Sequence, residues 1–432
     1  MSDLNIITDG AVLIRDGVIE EVGTSRRVEN LVPARHAREF DASGKVVMPA
    51  FVDPDIAIAA TGDGGNGVDD AVEPDIRLVS RRRMETQAMA TVADLVRYGV
   101  LTVGAHTLNA PDLKNSIKML RLHQAMQSKP LRIRSVFSPP CDAGEDRDKR
   151  AADLRGLWAL GKSDSLVEPW TTDKSVLPAR SESRATDTSV LRAFSESRAT
   201  DNSVLRALEA GSHRQRVRET WMPSIFRKKL ASLVEIAVDS GHIEDARAMA
   251  SAAAAAGFNI RFRVSGPTNA DVLDLAYTAG AVALICAIPA INDATRALAD
   301  VGCVKVILGA RMLAGDCVSK RSAIDDGIPV ALASGYKGDG IASLNIQFLL
   351  FMACHVLRMT AEEAIVAATY NAACSLRLSH VTGSLAPGKA ADICVMDVGD
   401  YHELTRRAGH HDVSLVMRAG KVVYRRQSLV LD

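Results

Sequence analysis

The chain contains no C-x-x-C, no H-x-H and no H-E-x-x-H, so its seven cysteines and ten histidines build no metal centre from one local segment. It has no net charge either: Lys+Arg and Asp+Glu both number 52, which removes the electrostatic footprint of a nucleic-acid or acidic-membrane binder. Aromatic residues make up 4%, too few for platforms on which bases stack. The longest apolar runs, such as Ala281–Ala290, are too short to span a bilayer. Met1–Asn5 has neither the basic nor the apolar part of a secretory signal. An odd number of cysteines without paired spacing suits a reducing compartment. A cytoplasmic protein with neither nucleic-acid nor membrane partners is therefore expected.

What is present is organised around Gly44–Ala57, G-K-V-V-M-P-A-F-V-D-P-D-I-A, an apolar strand broken at Pro49 and resumed at Phe51-Val52. Before it, Gly10–Ile14 and Val18–Val22 flank Asp16-Gly17, a strong hairpin signal. Near the other end, Val413–Met417 and Lys421–Tyr424 flank Ala419-Gly420, preceded by a strand at Asp392–Met396. Two β-rich ends around a mixed middle predict one small sheet domain from residues 1–50 and 384–432. The middle alternates. Helix is expected over Met84–Tyr98, Leu113–Gln127, Ile243–Ala256, Ala270–Ala279, Asp293–Val301 and Ser319–Asp326. Strands are expected at Val100–Val103, Leu131–Phe137, Leu233–Val238, Ile260–Val264, Ala281–Ile285, Val304–Leu308 and Val330–Ala333. Such alternation predicts a parallel sheet, and the number of units favours a closed but distorted (β/α)₈ barrel over residues 51–383.

One stretch does not fit. Ser181–Phe194, S-E-S-R-A-T-D-T-S-V-L-R-A-F, is repeated almost unchanged at Ser195–Leu208. One Val-Leu pair per repeat cannot bury a continuous core, so residues 150–212 read as an exposed, duplicated insertion in the barrel. A docking role for the twice-presented V-L-R-A-F and V-L-R-A-L anchors is the sharper reading.

The motifs carry a resemblance. F-V-D-P at Phe51–Pro54 and G-S-L-A-P-G-K-A-A-D at Gly383–Asp392 resemble the amidohydrolase superfamily. L-R-M-T-A-E-E-A, beginning at Leu357, and D-Y-H-E-L at Asp400–Leu404 narrow the likeness to imidazolonepropionases, zinc- or iron-dependent hydrolases of a cyclic amide in histidine degradation. The resemblance implies a (β/α)₈ barrel with a small β-sandwich domain. It also implies a metal at the C-terminal strand ends, a small-molecule ligand and a homodimer.

Position by position, the family's metal set is replaced. Its first histidine pair falls on Asp55 and Ala57, a third histidine on Arg263 and the catalytic glutamate on Gly266. A further histidine falls on Cys286 and the aspartate on Gly335. Of the substrate-binding positions, the arginine falls on Arg77, the lysine on His106 and the tyrosine on Asn109. Arg77 is equally well read as the first of a basic run with Arg81, Arg82 and Arg83. Alanine and glycine have no donor, and arginine holds a permanent positive charge where a dication would sit. No metal cofactor and no catalytic residue are therefore expected, and Asp55 is expected to pair with Arg263. The alternative is a working C–N hydrolase on a non-standard centre of Asp55, His106 and Cys286; a decaying gene product is a third reading. His355 reads as a satisfied core histidine, and Cys354, Cys374 and Cys394 as small buried apolar residues. Thr61–Asp70 is similar to a calcium loop but lacks the bidentate glutamate, and reads as a loop after a barrel strand.

Overall fold

A computed structural model describes residues 4–59, 76, 79–107, 110, 112–127, 130–139, 213–238, 241–264, 269–285, 297–298, 300–309, 312, 321–325, 327–337 and 343–426. The chain divides into two compact units, Met1–Pro140 with Thr220–Asp432, and Cys141–Glu219. In the second unit the described residues, 213–219, are helical. The repeats lie outside the described residues, as do Arg77, Asn109, Gly266 and Cys286 and the Thr61–Asp70 loop.

The first unit holds three sheets. Strands β1 (Gly10–Arg15) and β2 (Val18–Thr24) form the expected hairpin. Its turn residues Asp16 and Gly17 have φ of 51° and 81°, the doubly left-handed turn that matches strand twist. Strands β13 (Val413–Arg418) and β14 (Lys421–Arg425) repeat the device at Ala419 and Gly420, with φ of 47° and 71°. The two turns pack on each other: a Cβ on Gly17 would lie 3.1 Å from that of Ala419, and one on Gly420 2.8 Å from Ile14. Strands from both ends share the antiparallel sheet β14-β13-β12-β3, with β3 at Val46–Pro49 and β12 at Ile393–Met396. The hairpin β1-β2 joins its margin through Ile19 N–H to the Lys389 carbonyl (2.8 Å) and Ala391 N–H to the Gly17 carbonyl (2.9 Å).

The barrel strands run in sequence order: β4 (Phe51–Ile56), β5 (Val100–His106), β6 (Arg132–Phe137), β7 (Leu233–Val238), β8 (Asn259–Val264), β9 (Ala283–Ile285), β10 (Val304–Leu308) and β11 (Val330–Ala333). All neighbours are parallel. β4 and the residues after β11 approach across the seam, with Gly335 N–H donating to the Asp55 carbonyl (3.1 Å) and Ala57 N–H to the Tyr336 carbonyl (2.8 Å). The fold is thus a distorted (β/α)₈ barrel with a small β domain built from both ends of the chain. Every residue of β4 and β5 is buried, so that Asp53 and Asp55 of β4 and Thr102 and His106 of β5 are enclosed among otherwise apolar neighbours.

The helices follow from spacing and caps. Arg81–Arg97 buries Met84, Ala88, Thr91, Val92, Leu95 and Val96, one stripe, and Ser80 accepts the Arg83 N–H at its start. The T-A-E-E segment is a capping box, with Thr360 N–H donating to Glu363 Oε2 (2.8 Å) and Glu363 N–H to Thr360 Oγ1 (3.3 Å). Asp392, last residue of the G-S-L-A-P-G-K-A-A-D stretch, bolts the β domain to the barrel. Its buried carboxylate accepts from Arg132 of β6 (2.5 Å), from Arg418 of β13 (2.9 Å) and from Ala419 N–H (3.0 Å). That motif serves architecture.

Among the described residues, no helix is long and apolar enough to cross a membrane. Two readings of single residues need correction. His355 is exposed, its Nδ1 within 2.9 Å of the Phe351 carbonyl oxygen, because it sits on the outer face of its helix. Cys394 is fully buried, but Cys354 and Cys374 are only partly so.

Candidate functional site

The barrel interior is crossed by four charged side chains. On β8, N-I-R-F-R-V places Arg261 and Arg263 two residues apart, so both side chains leave the same face. On β7, Glu235 stands directly opposite Arg261 in the parallel register, one step from Arg263. On β4, Asp55 faces them from across the barrel. Arg261 Nη2 lies 2.9 Å from Asp55 Oδ1 and 2.7 Å from Glu235 Oε2. Arg263 Nη2 lies 2.5 Å from Asp55 Oδ1, while its Nε and Nη2 fork onto Glu235 at 2.8 and 3.1 Å. Arg261 Nη1 also donates to the Pro54 carbonyl at 2.7 Å, and Ser138 Oγ to Glu235 Oε1 at 3.4 Å.

The side chains of Asp55, Glu235 and Arg261 are no more than 1% exposed, and that of Arg263 is 12% exposed. Two positive and two negative charges cancel, and each oxygen of Glu235 meets a guanidinium. Burial opposes ionisation of Asp55, but the guanidiniums of Arg263 and Arg261 outweigh it and hold its carboxyl below the usual range. Burial opposes ionisation of Glu235 likewise, and Arg263 and Arg261 depress it strongly. For Arg263 the two carboxylates overcome burial and push its guanidinium further up. The cluster is an ionised, mutually satisfied set.

Two titratable groups border it. His106 ends β5, fully buried; burial lowers its imidazole to about 4 against the pull of Asp55. It is neutral at pH 7. Asp53 precedes Asp55 on β4 and accepts from Asp55 N–H (3.2 Å) and Ser334 N–H (3.1 Å) through Oδ1. Burial raises its carboxyl to about 7. Its Oδ2, like Oδ2 of Asp55, is buried with no hydrogen-bond partner among the described residues. Behind, on the helix Leu113–Met126, His123 is 1% exposed, neither ring nitrogen bonded among the described residues; burial lowers it to about 3.

The structure therefore brings together Asp55, Arg263 and His106 of the expected positions, with Ala57 and Gly335 at the seam beside them. Gly335 has φ of +67°, a left-handed backbone state that costs any residue with a Cβ, aspartate less than most. Sequence reasoning missed Arg261, Glu235, Asp53 and His123. A visible signal existed for two of them: Glu235 interrupts L-V-E-I-A-V, and Arg261 interrupts N-I-R-F, charges inside otherwise apolar strands.

Among the described residues, the donors at the site do not fit a metal. Asp55, the one carboxylate at a family ligand position, already holds two guanidiniums on one oxygen. A dication placed there would sit within contact range of two fixed positive charges at low dielectric. Among the described residues no group of three His, Cys, Asp or Glu side chains is disposed to hold an ion.

The sequence pattern of the amidohydrolase family matches residues 46–423. Imidazolonepropionase from Geobacillus thermodenitrificans is 24% identical over 449 residues, covering 98% of this chain and 92% of that protein. The imidazolonepropionase of Brevibacillus brevis is 25% identical with the same coverage, 98% and 92%. Of solved structures, a 5-methylcytosine deaminase from Klebsiella pneumoniae, liganded with phosphonocytosine, aligns with a TM-score of 0.66 at 16% identity, over 98% of this chain and 96% of that one. That last likeness speaks for the fold alone. Barrel, β domain and family pattern agree, and this imidazolonepropionase-like chain belongs to the amidohydrolase family.

Proposed function

We propose that this chain is a non-hydrolytic member of the family, a small-ligand-binding protein in which an ionic cross-link replaces the metal centre. The observation that carries the reading is the pair Arg261–Arg263 clasping Asp55 and Glu235 inside the barrel. Hydrolysis of a cyclic amide at neutral pH needs an activated water, which metal members of such folds obtain from a Lewis acid. Here the would-be ligand is neutralised by guanidiniums, which cannot lower the pKa of a water by coordination. The general-base position, Gly266, has no side chain to accept a proton.

The test is elemental analysis of the purified chain, together with an assay on imidazolonepropionate with and without added zinc or iron. No stoichiometric metal and no turnover are expected. About one dialysis-resistant zinc or iron per chain, with turnover abolished by Asp55→Ala, would overturn the reading. Restoring Ala57→His, Arg263→His, Gly266→Glu and Gly335→Asp together should still give poor hydrolysis. Arg261 remains over Asp55, and aspartate at 335 must take a left-handed backbone.

A further inference from the structure

We propose that a strip of basic side chains, running from the helix Leu113–Met126 to the N-terminal end of the barrel, is a docking surface for an acidic polypeptide segment. Residues 113–127, 130–138 and 220–234 contain no Asp or Glu. Hydrogen bonds set their basic groups side by side. Gln124 Nε2 donates to the Lys229 carbonyl (3.2 Å), which brings the end of that helix against the turn Arg227-Lys228-Lys229. Arg121, one helical turn before Gln124, lies on the same face. Three residues beyond Lys229, Ser232 Oγ accepts from Arg134 Nη1 (2.9 Å), and Arg134 Nη2 donates to the Arg377 carbonyl (3.5 Å). Arg121, Arg227, Lys228, Lys229 and Arg377 are exposed. Among the described residues, neither these nor Arg134 has a carboxylate partner.

Arg134 indicates what the strip receives. It is half-buried, and its Nε is enclosed with no acceptor among the described residues. Burial and the neighbouring Arg132 hold its guanidinium below the usual arginine range, and no carboxylate offsets them. The chain as a whole is neutral, 52 against 52, so this excess of positive charge is local and suits an anion. The surroundings decide which anion. None of the large apolar side chains exposed on the described surface lies on the strip, so it offers no anchor to a bilayer. Phe226, next to Arg227, packs edge-on against Phe258 at 5.2 Å between centroids and gives no platform to an unpaired base. The phosphates of a duplex are rigidly spaced on a convex surface, whereas Arg134 is recessed beside exposed Arg377. A carboxylate on its own flexible side chain can reach such a guanidinium and pair with it.

Fluorescence anisotropy of a labelled hexaglutamate peptide, titrated with the full chain at about 50 mM salt, tests this. A dissociation constant on the order of 10 µM is expected, weakened at least about tenfold at roughly 500 mM salt. Arg121→Glu with Lys228→Glu, both at exposed positions, should raise it at least about tenfold, and Arg134→Gln alone about fivefold. Arg26→Glu with Arg425→Glu makes the same change in net charge at exposed positions elsewhere and should stay within about twofold of wild type. A DNA duplex of about 20 base pairs should bind more weakly than the peptide. No peptide binding below about 1 mM at low salt overturns the proposal. So does an equal loss in the two double variants, or tighter binding of the duplex.

Discussion

Arg263 of β8 and Asp55 of β4, 208 residues apart in sequence, meet inside the barrel at 2.5 Å, with Glu235 gripping the same guanidinium from the neighbouring strand. The pair ties the middle of the barrel sheet to its first strand. Replacing a buried ion pair by well-packed apolar residues can be neutral, but removing one partner leaves a charge stranded in low dielectric. Arg263→Ala is therefore expected to cost roughly 3–5 kcal/mol in urea unfolding. Arg263→Lys should recover only part of this, since an ammonium cannot fork onto Glu235. A loss below about 1 kcal/mol in the alanine variant, the range of exposed pairs, would mean that the cluster is solvated in solution.

Asp53 gives a pH signature of opposite sign to an ordinary acid. Its carboxyl is raised from 3.8 to about 7 by burial, so the folded state holds a proton that the unfolded chain has released. Its contribution to stability is full below about pH 4, declines as pH rises, and is lost above about pH 7. Asp53→Asn keeps an acceptor for Ser334 N–H and removes the titration. Relative to wild type, the variant should gain stability between pH 4 and 7 by up to about 1.4 kcal/mol per pH unit. Parallel stability curves for the two proteins would refute this.

His123 works in the reverse sense. Burial lowers its imidazole from 6.5 to about 3, so the unfolded chain binds a proton that the folded one refuses. Stability from this group is present above pH 6.5 and falls as pH drops towards 3. His123→Leu should flatten the acid limb of the stability curve, again by up to about 1.4 kcal/mol per unit. His106, lowered to about 4, keeps its own share of the slope in that variant. An unchanged slope would show that His123 reaches water.

Asp392 offers a test of the junction between barrel and β domain. Asp392→Ala leaves Arg132 and Arg418, whose side chains are 12% and 17% exposed, facing one another without their carboxylate. A loss of roughly 3–5 kcal/mol is expected, read by thermal or denaturant unfolding. Asp392→Asn should recover the bond to Ala419 N–H but not the charge pairing. A junction held by apolar packing alone would leave both variants near wild type.

Much of the architecture was legible in the chain because it rests on local rules. Asp16-Gly17 and Ala419-Gly420 sit between alternating apolar runs, and both became left-handed two-residue turns. The strands Leu233–Val238, Val304–Leu308 and Val330–Ala333, and the helix Ile243–Ala256, have the limits that their periodicity predicts. Strand–helix alternation then leaves a parallel barrel as the economical way to bury every strand on both faces. The motif resemblance indicated where the metal ligands of relatives would fall, which is why Asp55 and Arg263 could be paired in advance.

What the sequence could not decide was the company those residues keep. Asp55, Glu235, Arg261 and Arg263 come from three strands. Whether a charge inside an apolar strand meets water, a metal or an opposite charge depends on the barrel's closure and register. Glu235 stands opposite Arg261 only because β7 and β8 are paired in that register; a one-residue slip would turn it to the other face. Likewise Asp53 was unremarkable in F-V-D-P, and its elevated pKa comes from complete burial, which outweighs the opposing hydrogen bond from Ser334, 281 residues away at the seam. Periodicity and turn chemistry act over a few residues and determined the elements. Desolvation and ion pairing act across the closed barrel, so tertiary structure alone assembled the cluster.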